Sequence, residues 1–124
     1  MFSRATLDAL ARGHYLWIRA GDDAHRFLPI WSVVHGRRLF IRSWNVKRGG
    51  WHEVFAKEKR GAIKLSRTGA EVPVRAIRVR SERTKTIVDD GFAAKYTRPN
   101  ARKYVKGFRT ARRRDATFEL LSTT

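Results

Sequence analysis

The stretch RSWNVKRGGWHEVF, from Arg42 to Phe55, holds the residue types in this chain that are best suited to binding chemistry. Serine, asparagine and basic side chains precede two glycines, and apolar residues then return at helical spacing. A helix that begins after such a loop presents unpaired backbone N–H groups and the positive end of its dipole. This order suits a phosphate group, and the alternative is a solvated turn whose glycines serve only chain reversal.

The polar side chains of this loop would divide the work of holding a phosphate. Arg42, Lys47 and Arg48 supply positive charge, and Ser43 and Asn45 add neutral hydrogen bonds. We therefore take these five residues as candidate ligands of a bound anion.

Two glycines and two tryptophans complete the candidate site. Gly49 and Gly50 would let a ligand approach the backbone closely. Trp44 and Trp51 flank the loop and would either stack on an aromatic ring system or fill the core, and the sequence leaves both readings open. The core is the favoured place for the two tryptophans farther from the loop, Trp17 and Trp31.

The chain carries no other pattern typical of catalysis. It has no cysteine, which excludes a thiol nucleophile and a disulfide framework and makes a reducing cytosol the simplest location. There is no nucleophile elbow and no phosphate-binding loop of the Walker type. The histidines are too widely spaced to predict a metal site: His14, His25, His35 and His52.

Positive charge dominates the composition. The chain has 28 Lys and Arg against 11 Asp and Glu, a net charge of +17, and such a surface attracts any phosphate-bearing partner. Charge does not distinguish a nucleotide from a nucleic acid. In the segment RKYVKGFRTARRR, Tyr104 or Phe108 would stack on bases and the run Arg112 to Arg114 would form a surface patch, which keeps nonspecific nucleic-acid binding as an alternative.

The elements that position these residues belong to one mainly β domain over residues 1–124. The 42% hydrophobic content suits one modest core, and no apolar run reaches the roughly 20 residues that a membrane helix needs. Alternating apolar residues punctuated by turn residues predict an antiparallel sheet. Gly36 would permit a tight hairpin, and Gly69 would supply the positive φ of another hairpin turn. The predicted strands cover about residues 14–19, 26–34, 37–43, 62–66, 71–79 and 116–121.

Three helices are predicted outside the sheet. The first spans about residues 3–12, with Ser3 as its cap and Gly13 as its end. The second belongs to the basic loop and helix over residues 42–60, and the third spans about residues 82–96, where Gly91 weakens the helical pattern. We expect residues 97–115 to be irregular and strongly basic.

The segment RRLFIRSWNVKRGGWHEVFAKEKRGAIKLSR resembles the central part of the FMN-binding split β-barrel proteins, the superfamily of pyridoxamine phosphate oxidase and the deazaflavin-dependent reductases. In those proteins a strand leads into a polar loop that holds the flavin phosphate, and a helix and another strand follow. From about Leu7 to Leu120 the chain is similar to a small bacterial family of uncharacterised proteins assigned to this superfamily, including the stretches AAKY and TARRRDATFEL.

The resemblance implies a six-stranded split barrel with short peripheral helices, a bound FMN or deazaflavin, and a homodimer. It marks as phosphate-side candidates Arg42, Ser43, Asn45, Lys47 and Arg48. The oxidase-like loop has its serine close to a basic pair, whereas here Trp44, Asn45 and Val46 intervene. The function implied is that of an oxidoreductase with an unnamed substrate, in which the cofactor carries the hydride chemistry. The alternatives are a nucleic-acid-binding module and a split barrel without a redox cofactor.

Overall fold

Seven β-strands form the frame of the structure, a computed structural model that describes residues 2–22 and 26–123. His25 lies outside the described residues. The strands are β1 (Leu16–Ala20), β2 (Leu28–Ile30), β3 (Ser32–His35), β4 (Arg38–Arg42), β5 (Arg60–Lys64), β6 (Val72–Arg78) and β7 (Thr117–Ser122).

These strands make one antiparallel sheet with the order β2-β1-β5-β6-β7-β4-β3. The sheet curls into a nearly closed barrel whose seam stays unsealed between its edge strands β2 and β3. The two edges are consecutive in the chain and are separated only by Trp31. The mainly β, antiparallel prediction is confirmed, and an open seam fits a split barrel.

The sequence predicts six strands, and the structure has seven because the predicted strand 26–34 breaks at Trp31. Pro29 lies opposite Trp17 in the edge strand β2, and an edge strand tolerates a residue without a backbone N–H. The predicted hairpin at Gly36 is confirmed by a φ of 61°. The positive φ predicted for Gly69 is wrong: this residue closes its turn with an N–H bond to the Ser66 carbonyl.

Five helices accompany the sheet in the described part of the chain. They are α1 (Arg4–Arg12), α2 (Trp51–Glu58), α3 (Glu82–Lys95), α4 (Arg102–Gly107) and α5 (Ala111–Arg114), with a 3-10 turn, Pro99–Ala101, before α4. None of these helices is long and apolar enough to span a membrane.

The first three helices confirm the prediction. Ser3 caps α1 through a bond from the Thr6 amide, and Gly13 ends it. The prediction that residues 97–115 are irregular is wrong, since α4, α5 and the 3-10 turn lie there. Such short helices depend on tertiary packing more than on local propensity, and Ala101 and Phe108 supply it from the core.

Two apolar clusters hold the elements together. One fills the barrel, with Leu16, Ile41, Ile63 and Phe118 among its members. The other lies between the sheet and α3. There the bare backbone of Gly91 lies against β3, so closely that a Cβ at this position would collide with Val33.

A buried charge joins the sheet to the helices. The guanidinium of Arg42, at the end of β4, is fully buried and pairs with Asp89 of α3. It also donates to the Thr117 hydroxyl at 2.7 Å and to the carbonyls of Phe108 and Lys85 at 2.9 and 3.2 Å. Burial lowers the pKa of Arg42 and the bond to Asp89 opposes that shift, so this ion pair offsets the cost of desolvating the charge.

We predict that Asp89→Asn destabilises the protein by about 3–5 kcal/mol, because it leaves the buried Arg42 charge without a counter-charge. Urea unfolding measures the change. The matched control is Asp90→Asn at the next position, whose side chain is 71% exposed and lies 3.7 Å from Arg109. We expect the control to cost less than about 0.5 kcal/mol. Equal losses in both variants would contradict a charge-dependent role for Arg42.

Candidate functional site

A cavity of about 710 Å³ opens beside the edge strand β2. Strand β2 and Trp31 form one side, and the loop between β4 and α2 forms another. The predicted site residues line it with the exception of Arg48: Arg42, Ser43, Trp44, Asn45, Lys47, Gly49, Gly50 and Trp51. The structure thus gathers eight of the nine candidates around one space, and its volume lies within the roughly 300–1,000 Å³ of small-molecule sites.

Aromatic side chains supply the apolar part of the cavity. Trp44 meets Tyr104 and Phe108 edge-on, with ring centroids 5.1 and 5.3 Å apart. The ring centroids of Trp31 and Tyr104 are 6.2 Å apart. Across the cavity Trp51 packs its ring against Phe55 at 6.0 Å. Trp44 and Trp51 therefore both pack against the core and also line the cavity, and their stacking on a ligand ring stays a prediction.

Arg42 lines the cavity, but its guanidinium is hydrogen-bonded to other protein groups. Its hydrogen bonds all go to protein groups in the interior. Ser43 is also occupied, since its hydroxyl oxygen accepts the Val46 amide at 3.3 Å. These two residues shape the loop, and we no longer propose them as direct ligands of an anion.

The loop holds a strained backbone at Val46. Its φ of 40° is unusual for a β-branched residue, which avoids the left-handed region. Arg112 of α5 reaches across and donates to the Val46 carbonyl at 2.7 Å. Strain of this kind persists where surrounding contacts enforce it, and it concentrates at binding sites.

Arg113 of α5 fixes the next part of the loop. Its guanidinium lies 3.6 Å from the ring centroid of Trp44 and donates to the Trp44 carbonyl at 2.8 Å. A further bond, 3.1 Å long, goes to the carbonyl of Gly107. Arg114 pairs instead with Asp89 and Glu82. The predicted surface patch therefore holds only in part: Arg112 is exposed, whereas Arg113 and Arg114 are half-buried. All three side chains bond to the loop or to the helices.

The polar side of the cavity carries exposed groups. Asn45, Lys47 and Gly49 are exposed, and Gly49 has a φ of 78°. The carboxylate of Glu53 accepts the Gly49 N–H at 2.7 Å, and this bond lowers the pKa of Glu53. The start of α2 therefore already has an anionic partner from its own first turn, and a bound phosphate would have to displace it or lie beside it.

His52 follows in the same turn of α2 and is partly buried. Burial lowers its pKa, which keeps the ring neutral near neutral pH. The ring Nδ1 is buried and has no hydrogen-bond partner within residues 2–22 and 26–123. Burial and the missing partner at Nδ1 thus both disfavour a charged His52 in the loop.

Several residues line or support this site although the sequence did not predict that they would. The sequence favours a core position for Trp31, which does pack against the core and also lines the cavity. It predicts base stacking for Tyr104 or Phe108 and gives Glu53 and Arg113 no role in this site. A capping-box glutamate near a glycine-rich helix start is a signal that would have identified Glu53. The others lie far from the loop in sequence, and no local pattern connects them to it.

Comparisons with known proteins identify a family without naming an activity. The profile of a family described as an uncharacterised protein conserved in bacteria, DUF2255, matches residues 7–120. The crystal structure of a conserved hypothetical protein from Mycobacterium tuberculosis is similar, with a TM-score of 0.61 and 12% identity, over 100% of this chain and 82% of that one. At this identity the likeness concerns the fold alone. No curated protein sequence matches the chain.

We predict that Arg113→Met loosens the loop while leaving the barrel folded. The variant keeps an apolar stem but loses two backbone hydrogen bonds and the contact with Trp44. Amide hydrogen exchange at residues 44–46 should speed up by about tenfold or more, since charged hydrogen bonds contribute about 1.5–3 kcal/mol each.

The control for this variant is Lys106→Met in α4. Lys106 is exposed, and its side chain makes no ion pair or hydrogen bond within the part of the chain that the structure describes. Exchange at residues 44–46 should stay at the wild-type rate in this control. The same acceleration in both variants would mean that Arg113 does not fix the loop.

Proposed function

Since the chain belongs to the DUF2255 family of uncharacterised bacterial proteins, whose description assigns no activity, we propose from the site itself that it binds a flavin-type nucleotide, FMN or a deazaflavin. The ligand would occupy the cavity beside β2. The observation that carries the proposal is the meeting of an aromatic wall with an exposed basic and glycine-containing loop around one cavity. A flavin nucleotide has the same two parts, a flat ring system and a phosphate.

The chemical types of the lining residues match the two parts of such a ligand. Trp31, Trp44 and Trp51 offer apolar surface to a ring system. Lys47 and Asn45 offer an ammonium and an amide to a phosphate, and the backbone of Gly50 begins α2. The side chain that opposes an anion is Glu53, and its bond to Gly49 makes it a competitor for the same backbone donor.

The chemistry that follows from the proposal belongs to the cofactor. A bound flavin or deazaflavin supplies hydride transfer, and the protein supplies binding, orientation and exclusion of water. This division agrees with a site that contains tryptophans and backbone amides in place of a nucleophile. The candidate activity is that of an oxidoreductase, within the split-barrel superfamily that the sequence resembles, and the homodimer implied by that resemblance stays a prediction.

Nucleic acid is the weaker candidate. Arg113 and Arg114 of the basic segment are engaged within the fold, which leaves fewer free charges to follow a phosphate backbone. The net charge of +17 still attracts any polyanion. We therefore propose only nonspecific binding of this kind.

We predict that the purified protein binds FMN or a deazaflavin. A ligand at 100 times its dissociation constant adds about 2.7 kcal/mol of stability, which a thermal melt detects. Absorbance of the isolated protein and flavin fluorescence provide independent readouts. A colourless protein that no FMN, FAD or deazaflavin stabilises would refute the proposed cofactor.

Variants of the loop residues test whether the phosphate of FMN binds at this loop, with the same binding measurements. Lys47→Ala combined with Arg48→Ala should weaken FMN binding by about tenfold and leave riboflavin, which lacks the phosphate, unchanged. Most of the loss should come from Lys47, because Arg48 does not line the cavity. Glu53→Gln should strengthen FMN binding by removing the competing charge. Arg67→Ala with Arg80→Ala, two exposed arginines away from the cavity, controls for the loss of two charges.

We also predict that single-stranded oligonucleotides bind weakly and without sequence preference. The dissociation constant at physiological salt should be no tighter than roughly micromolar. The logarithm of the association constant should fall linearly with the logarithm of the salt concentration, with a slope of about −0.7 per phosphate neutralised. A salt titration with two oligonucleotides of different sequence measures both. Tight and sequence-selective binding would favour the nucleic-acid alternative.

A further inference from the structure

A second cavity of about 670 Å³ lies between the end of α1 and the end of α3. Arg12 and His14 line it from one side, and Lys95, Arg98 and Asn100 line it from the other. It shares three aromatic residues with the first cavity: Tyr15, Trp31 and Tyr104. The two cavities are thus adjacent and have these aromatic side chains in common. Their polar residues come from different parts of the chain.

Lys95 is the unusual group in this cavity. Its ammonium donates to the carbonyls of Leu10 and Ser32 at 2.9 and 3.0 Å. An ammonium has three donors, and the other contact found for it in the described residues is the ring of Tyr96, with the Nζ 5.2 Å from the ring centroid. No carboxylate of the described residues pairs with Lys95, and burial without a counter-charge lowers its pKa to about 8.

The other charges around the cavity have the same sign. Arg12 and Arg98 are exposed, and neither side chain makes an ion pair or hydrogen bond with any described residue. None of the described residues that line the cavity is acidic. Elsewhere on this protein arginines find acidic partners, as Arg38 does with Glu119. Here Lys95, Arg12 and Arg98 line one cavity, and no acidic side chain among the described residues pairs with them. A concave space lined by unpaired positive charges concentrates anions.

We propose that this second cavity binds a small organic anion, whose phosphate or carboxylate oxygens contact Lys95, Arg12 and Arg98. The third donor of Lys95 and the two planar guanidinium groups provide charge-assisted hydrogen bonds for such oxygens. Trp31, which stacks on Tyr96 with ring centroids 3.9 Å apart, and the half-exposed Tyr104 provide apolar surface for the body of the molecule. This site shares Trp31 and Tyr104 with the wall of the first cavity but takes its charged groups from other residues, so the proposal does not depend on flavin binding.

The test uses phenyl phosphate, benzoate and neutral benzyl alcohol as probes, with binding measured by calorimetry and by NMR shifts of residues 95–100. We expect phenyl phosphate or benzoate to bind, and the stronger of the two identifies phosphate or carboxylate as the preferred group. Benzyl alcohol should bind at least about tenfold more weakly, because it brings no charge to the three cations. Equal binding of the alcohol would overturn the proposal.

Charge variants separate this cavity from the first one. Arg12→Ala with Arg98→Ala should weaken binding of the anionic probe by about tenfold, and Arg67→Ala with Arg80→Ala should not. Lys47→Ala with Arg48→Ala should also leave probe binding intact. If the Lys47 and Arg48 variant loses the probe while the Arg12 and Arg98 variant retains it, the probe occupies the first cavity and the proposal fails.

Lys95→Met provides the remaining variant. It should abolish binding of the anionic probe, but it also removes bonds that tie α1 and β3 to α3, so circular dichroism must first show that it folds. The arginine pair decides the question whether or not Lys95→Met folds, because both side chains are exposed and carry little of the stability. Failure of flavin binding would leave this result unchanged, since the two experiments use different probes and different residues.

Discussion

The buried ion pair between Arg42 and Asp89 is the interaction on which the arrangement of the site depends. A guanidinium in the interior is tolerated only when its charge is balanced and its donors are satisfied. Asp89 also accepts Arg114 at 3.0 Å, and Arg42 reaches the carbonyl of Phe108, so strand β4, helix α3 and the segment around α5 are joined at one point. The loop after Arg42 therefore starts from a fixed position.

From that point the loop is held by residues that are remote in sequence. Arg112 and Arg113 of α5 contact the backbone of Val46 and Trp44, and they hold a φ that valine rarely adopts. The bare backbone of Gly107 lets α4 approach the Trp44 ring, because a Cβ there would come within 2.5 Å of it. The loop side of the proposed binding surface is thus held in place by the short helices α4 and α5, which contact its backbone and the Trp44 ring.

The large positive charge divides into two populations with different roles. Arg42, Arg113 and Arg114 are structural, and their partners are carboxylates, backbone carbonyls and an aromatic face. Lys47 and Arg98 lie in the described structure without such partners, each beside a different cavity. Net charge alone therefore overstates the basic surface that is free to attract a ligand, and position decides which cations remain available.

Local signals in the sequence determined most of the elements: alternation located the strands, a serine cap and a terminal glycine bounded α1, and the polar loop before Trp51 was found because its residues are contiguous. Tertiary structure alone decided the rest. The break at Trp31, the helices after residue 97 and the inward turn of Arg42 arise from packing between segments tens of residues apart. The glycine that weakened the prediction of α3 is required there by the nearby Val33. Local patterns report propensity and periodicity. The residues that bury a charge or line a cavity come together only through tertiary packing, because they are distant in sequence.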